Sequence, residues 1–401
     1  MAGTDTQPRT WWMSRPDDPL NFLIGSNDDD GMEWELDSSQ INVIQWVRPS
    51  QKLLIGTAGA EYSATGGSEA AITPTNTPLV RPLSQHGSGS VPALSAGGNT
   101  LFLTASGKKL RELAYRYEAD TYLSPDLLLL SEHLTNALDT YWITDLAYQQ
   151  EPDPTIWAVR SDGTLLGCTY LRDQDVVGWH RHETTGTFES VAVIPHPDQL
   201  YDEAWVTVAR TINGATKRYV EYFDREWDVY DGACPGVHTD SCLTLDSPTP
   251  VSSVSGLGHL ENTEVCIVGD GAVYPPQTVS AGAVALDGSA AYKVEVGLAF
   301  TPTLVTMRPE VKLGDGTSQG LPKSWSNLNV RFHNTMGATV NGEAIPWRDM
   351  TDSMDEHPPL YTGDRQVNPL GWDNDGKITV TQPDPLPITV LAIFGNLIVG
   401  E

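Results

Sequence analysis

Short apolar runs separated by tight polar turns recur along the whole chain. The clearest stretch is TIWAVRSDGTLLGCTYLRDQDVVGWHRH, residues 155–182. Residues 156–160 are an apolar run, and Ser161, Asp162 and Gly163 make a turn. A second run covers 164–170, and a third, with Trp179, covers 176–182. Asp and Gly tolerate the backbone angles of a tight hairpin, so the pattern predicts three antiparallel strands in a meander. Such a meander leaves an apolar face that must be buried against another layer.

The same pattern occurs before and after this stretch. INVIQWVRPSQKLLIGTAGAEYSAT begins at residue 41, VPALSAGGNTLFLTASGKKLRELAYR at 91, ITDLAYQQ at 143, and FESVAVIPHPDQLYDEAWVTVARTINGATKRYVEYFD at 188. Four units at a spacing of roughly 45–50 residues predict propeller blades or a blade-like array, ahead of an ordinary meander sandwich. Residues 1–230 are assigned to these repeats. Strands are expected at 11–15 and at 32–36, where alternation puts Met32, Trp34 and Leu36 on one face. Residues 65–90, rich in Gly, Ser, Thr and Pro, read as a long exposed loop. One helix is expected at 124–138, with Ser124 as N-cap, Pro125 in its first position and Asp126 at its positive end. Past residue 249 the strands shorten and Asp-Gly turns multiply, which predicts a small β-sandwich or barrel over 231–300. Longer strands, including 388–399, close a C-terminal β domain over 301–401. The boundaries fall near Asp231 and Thr301. The expected fold class is therefore all-β: blade-like antiparallel meanders forming a complete or incomplete propeller, then small sandwich or barrel modules, with one short helix.

Composition agrees and narrows the function. A chain of 401 residues holds two or three domains, and 39% hydrophobic residues make it globular. The 36 Gly and 28 Pro punctuate short strands and disfavour long helices. The net charge is −28, from 24 basic and 52 acidic residues, so the chain as a whole repels phosphate. That excludes tight nucleic-acid binding, although a wall past which DNA slides must not grip it. The four cysteines, Cys168, Cys234, Cys242 and Cys266, set up no disulfide framework. No secretory signal and no membrane-length apolar run is seen, so folding in a cytoplasm without membrane insertion is expected.

Several residue groups resemble parts of functional sites. Cys234, His238 and Cys242 supply zinc-type ligands, but the spacing is not that of a finger and a fourth ligand is missing. Free loop residues account for them most simply, ahead of a local disulfide and of a metal. His180 and His182 fall on one face of a strand, with no carboxylate pattern beside them. Asn27, Asp28, Asp29, Asp30 and Gly31 resemble part of a calcium loop, but Ser26 and Asp37 then occupy the end positions where Asp and Glu are wanted. Asp373, Asn374, Asp375 and Gly376 fail in the same way, and both segments read as hairpin turns. Asp153 or Asp162 with Asp175 would be a glycosidase pair only by the weight of numbers. Lys108, Lys109, Arg111 and Arg116 read as a solvated strand face, ahead of a face that meets an acidic partner. Trp11, Trp12 and Trp34 would serve as sugar platforms in a hydrolase, but read more simply as core. No nucleophile elbow, phosphate loop or dinucleotide fingerprint occurs.

Longer stretches carry a family resemblance. They are SRPDDPLNF at 14–22, NDDDGMEWELDSSQINVIQWVRPSQKLLIGTAGAEYS at 27–63, LRELAYRYEADTYLSPDLLLLSEHL at 110–134, VSGLGHLENTEVCIVGDGAVYPPQTVSAGAVAL at 254–286, VGLAFTPTLVTM at 296–307, and PPLYTGDRQVNPLGWDNDGKITVTQPDPLPITVLAI at 358–393. Together they resemble the tail nozzle (tail tubular, packaged-DNA stabilisation) proteins of short-tailed bacteriophages. The resemblance implies a structural virion protein in the tail, forming a six-fold ring below the portal and adaptor. It implies contacts with the adaptor ring and with tail fibres or spikes, and a channel that holds or releases the genome without binding it specifically. It supplies no catalytic, cofactor or metal residues, and on it the chain is expected not to be an enzyme. Family members carry a further β-rich region before the SRPDDPLNF-like stretch, so an incomplete propeller is as compatible as a complete one. Acidic residues near Asp349–Asp364 are expected to face the lumen, and Leu127–Leu130 to be buried within or between subunits. The alternatives are a tail-associated polysaccharide or cell-wall hydrolase, or a receptor-binding tail module.

Overall fold

The computed structural model describes residues 2–37, 42–67, 71–117, 121–135, 140–198, 200–224, 237–314, 316–348, 358–367 and 371–400. The chain is all-β, built from many small antiparallel sheets. Contacts divide it into two units. The first holds Met1–Ala209 and Arg218–Phe223, the second Arg210–Lys217 and Asp224–Glu401. The expected modules 231–300 and 301–401 both fall inside the second unit, and the expected boundary at Asp231 lies outside the described residues.

In the first unit the four repeats are four meander sheets, each with its strands in sequence order. They begin at Ile44–Pro49, Leu94–Ala96, Ile143–Gln149 and Thr187–Pro195. The first three have four strands and the last has three. The turns are those their residues allow. Gly163 has φ 86, and Asn213 and Gly214 have φ 50 and 74, the left-handed pair of a two-residue hairpin.

The sheets stack on one another through their side chains. Trp46 and Leu54 of the first sheet pack with Phe102 and Leu113 of the second. Leu101, Leu103 and Leu110 of the second pack with Ile156, Ala158 and Leu166 of the third. Trp157, Val159 and Leu165 of the third pack with Val191, Val206 and Val208 of the fourth. Successive residues of the strand Thr155–Arg160 thus point to different cores, and all six are buried. A strand covered on both faces has no reason to alternate, which explains the unbroken TIWAV run. Each buried Val, Leu, Ile or Phe among them stabilises by about 1.5–3 kcal/mol.

One local expectation is completed and two change. The tryptophan strand Thr10–Met13 has its partner later in the chain: it pairs with Met32–Glu35, placing Trp11 opposite Trp34. Residues 65–90 are not simply a loop, because Pro78–Ser84 is the fourth strand of the first sheet and pairs with Glu61–Gly66. Its prolines sit on an edge strand, where a missing N–H is harmless. The helix is present but short: a 3-10 segment, Leu129–Leu134, rather than 124–138. Asp126 is drawn into a bridge with Arg111, and Leu127 and Leu128 enter the core between the second and third sheets. Leu129 and Leu130 remain exposed in this chain. Residues 136–139 lie outside the described residues.

In the second unit one sheet runs in the order Asp240–Val251, Ala291–Leu298, Glu264–Gly269, Ala272–Thr278, so sequence neighbours are not all spatial neighbours. A small sandwich follows. Its axis is the long strand Lys323–Thr335, which pairs along one edge with Tyr361–Gln366 and along the other with Val390–Val399. Leu328, Val330 and Phe332 on that strand pack onto Val340, Ile378 and Val380 of a facing sheet.

Candidate functional site

The residues singled out by chemistry are placed individually by the structure. His180 and His182 do share a strand face, with ring centroids 4.9 Å apart. They close an aromatic cluster in which His182 lies 5.1 Å from Trp157, and Trp157 stacks on Phe223 at 4.9 Å. Gly167 lies opposite His180, and a Cβ there would collide with the His180 ring. Burial, and secondarily the neighbouring His180, pushes the His182 imidazole down to about 4. Its Nε2 is buried without a hydrogen-bond partner. The pair therefore acts as neutral aromatic packing. Among the described residues no group of three His, Cys, Asp or Glu side chains is placed to hold a metal.

Cys234 lies outside the described residues. Cys242 is a free thiol, pushed up to about 12 first by burial and then by the charge of Glu295. Glu295 is the unexpected member of this neighbourhood. It is buried and accepts hydrogen bonds from the His238 N–H at 2.8 Å and the Thr239 hydroxyl at 2.6 Å. Burial still raises its carboxyl to about 7. Nothing in its local sequence, KVEVGL, distinguishes it from the outward-facing glutamates of other strands.

Both calcium-like segments are turns tied by side chains. In the first, Arg15 pairs with Asp29 at 3.3 Å and Asp30 at 3.2 Å, and Asp28 accepts from Thr73 and Thr75. In the second, Gly376 N–H donates to Asp373 and Arg308 pairs with Asp375. Asp162 does not meet Asp175, because the two sit at opposite ends of the strand Leu165–Leu171. Asp162 is held by Arg160, whose Nε lies 2.8 Å from its Oδ1, and Asp175 caps a 3-10 turn in a left-handed conformation. Arg160 in turn donates to the Leu134 carbonyl at 2.8 Å.

In the basic cluster Arg116 is exposed, as expected, whereas Lys109 and Arg111 find partners within the chain. Lys109 pairs with Asp126 at 3.2 Å and with Glu132 at 3.8 Å, and Arg111 donates to the Ser124 carbonyl at 2.6 Å. Trp11 is core, and Trp12 and Trp34 are half-buried. Of the acidic stretch expected to face a lumen, residues 349–357 lie outside the described residues, and Asp364 makes a two-armed pair with Arg331 at 2.7 and 2.9 Å.

Sequence reading missed the buried charges altogether. Glu112 is buried and pairs with Arg172 at 2.9 Å and with Asn99 at 2.8 Å. Lys323, also buried, reaches Glu310 at 3.6 Å and the Asn374 carbonyl at 3.3 Å. Their partners are distant in sequence, so only the fold brings them together.

The second unit also has an open cleft of about 590 Å³, lined by Met336, Ile345, Trp347, Arg348, Gln382 and Asp384 among others. Asp384 is the single carboxylate in its described lining, so the paired acids of a glycosidase are not assembled there among the described residues.

Neither a family model nor a curated protein matches this chain. Solved structures do match, among them an exo-β-1,3-galactanase from Phanerochaete chrysosporium in complex with β-1,3-galactotriose. It is 11% identical, the match covers 100% of this chain and 95% of that one, and the TM-score is 0.28. A glycoside hydrolase among the matches overturns the expectation that the chain is not an enzyme, and that expectation is withdrawn. At this TM-score the likeness assigns no activity, substrate or residue to this chain.

Proposed function

We propose that the chain is a ring-forming structural subunit of a short-tailed phage tail, a nozzle that continues the channel below the portal and adaptor. The observation that carries the proposal is apolar surface left uncovered by an otherwise well-packed chain. Leu20 is 89% exposed and Leu130 95% exposed, while the cores between the stacked sheets are buried. Side chains of this size gain stability when a neighbour removes them from water. The acid excess, 52 residues against 24 basic, suits a conduit past which phosphates move without adhering. The resemblance of the sequence to nozzle proteins supports the same reading. In it, the stacked sheets are wall elements, and partner rings and tail fibres attach at their exposed margins.

Quantitative analysis of purified particles tests this directly. The expected result is six copies per particle, with antibody to the chain decorating the distal tail. Absence from particles, together with turnover of a cell-wall or capsular glycan that a single carboxylate substitution abolishes, would replace the nozzle with a hydrolase.

A further inference from the structure

The C-terminal strand Val390–Val399, VLAIFGNLIV, pairs with Lys323–Thr335 along one edge. Among the described residues no strand pairs with its other edge. It is ten residues long and contains neither a charged residue nor a proline. Natural proteins rarely leave such an edge bare, because its free N–H and C=O groups are a template for another chain. Among the described residues the other long edge strands are blunted. Pro78–Ser84, Asp240–Val251 and Ala272–Thr278 contain prolines, and Val176–His182 and Ala215–Tyr222 contain charges.

The side chains of the same strand point to the same conclusion. Val390 and Ile393 pack into the sandwich core. Leu391, Phe394 and Ile398 are 59%, 40% and 46% exposed. Trp372, 59% exposed, pairs with Ser324 on one side while Ile398 pairs with it on the other, so only a serine separates these two apolar side chains; further along, Arg331, already paired with Asp364, lies 5.5 Å over the Phe394 ring. Two irregularities interrupt the inner ladder, one at Ser326/Asn329, where Asn327 has φ 51, and one at Arg331/Phe332, where Leu391 of this strand is passed over; the outer edge stays uncharged along its length.

We infer that this strand is a seam at which a second copy of the chain adds its own backbone and apolar side chains. The occupant is taken from the ring reading, which this inference deepens. Charge favours it independently. Copies with a net charge of −28 repel one another, and this uncharged strand opposes no like charge on the different surface of the next copy that a ring sets against it. A strongly basic partner would find its counter-charges elsewhere on the surface.

Sedimentation of the full chain tests the seam. The wild-type protein is expected as a discrete multimer. The variant L391K/I398K, which places two ammonium groups on the strip, is expected to sediment as a monomer at the same concentration. N396K, at a position already polar and exposed, carries the same expectation with less demand on the fold. E343K changes the net charge by the same amount as the double variant, on another exposed strand, and is expected to keep the wild-type mass. If both strip variants keep the wild-type mass, the seam is elsewhere and the ring reading survives. If the wild-type protein stops at a dimer that the strip variants dissociate, the seam stands and the ring does not. A wild-type monomer, or an indefinite aggregate, overturns both.

Discussion

Two strands of nearly equal apolarity have different surroundings. Thr155–Arg160 in the first unit is buried at all six positions, because a sheet covers each of its faces. Val390–Val399 in the second unit is as apolar but has one covered face, one open face and one open edge. An apolar run without alternation is the mark of a strand covered on both sides. In the first case the chain supplies both covers. In the second it supplies one, and the pattern itself asks for another.

The largest expected effect separates the two strands by mutation. Ile156→Ala removes a fully buried side chain between two sheets, at a cost of about 2–5 kcal/mol. Ile398→Ala in the dissociated chain is expected to cost less than about 0.5 kcal/mol. Urea unfolding monitored by tryptophan fluorescence measures both, and equal losses would end the contrast. Next in size is Glu112→Ala, which strands Arg172 and Asn99 beneath the second sheet. About 2–3 kcal/mol is expected from the same measurement, below the range for a fully enclosed pair, since Arg172 retains 25% of its side-chain exposure.

The third effect belongs to the second unit alone. Burial holds the Glu295 carboxyl at about 7, above its ordinary 4.5. Between those values the folded chain keeps a proton that the unfolded chain has released. The contribution is therefore complete below about 4.5 and is lost as pH rises through about 7. Glu295→Gln is expected to flatten this part of the pH–stability curve; an unchanged slope would assign it to other groups. The smallest effect is chemical. Cys168 is fully buried in the third sheet, with its thiol pushed by burial to about 12. It is expected to resist alkylation at pH 8 until the first unit unfolds, which peptide mass mapping reads directly.

Much of the first unit was legible because its signals are local. Ser161-Asp162-Gly163 and Asn213-Gly214 announced their hairpins, and the apolar runs between turns announced the stack. Three features were not legible, for one common reason. The partner of Thr10–Met13 lies across a long loop, the strand Pro78–Ser84 is disguised by its prolines, and the helix start at Ser124 is overruled by the Arg111–Asp126 bridge. In each, a contact distant in sequence outweighs local preference. The candidate site residues followed the same rule. Turn-forming acids were recognisable from their neighbours, whereas Glu295, Glu112 and Lys323 became distinctive only through partners that the fold delivers. The free edge at Val390–Val399 was invisible as an edge, since a sequence shows that a strand is apolar and not which side of it is left open.

Amide hydrogen exchange on the assembled protein tests the central claim most directly, by comparing peptides covering 155–160 and 390–399. Protection of both, with 390–399 alone losing on the order of tenfold or more when the assembly is diluted to single chains, is the predicted result. Rapid exchange at 390–399 in the assembly, beside full protection at 155–160, would contradict it.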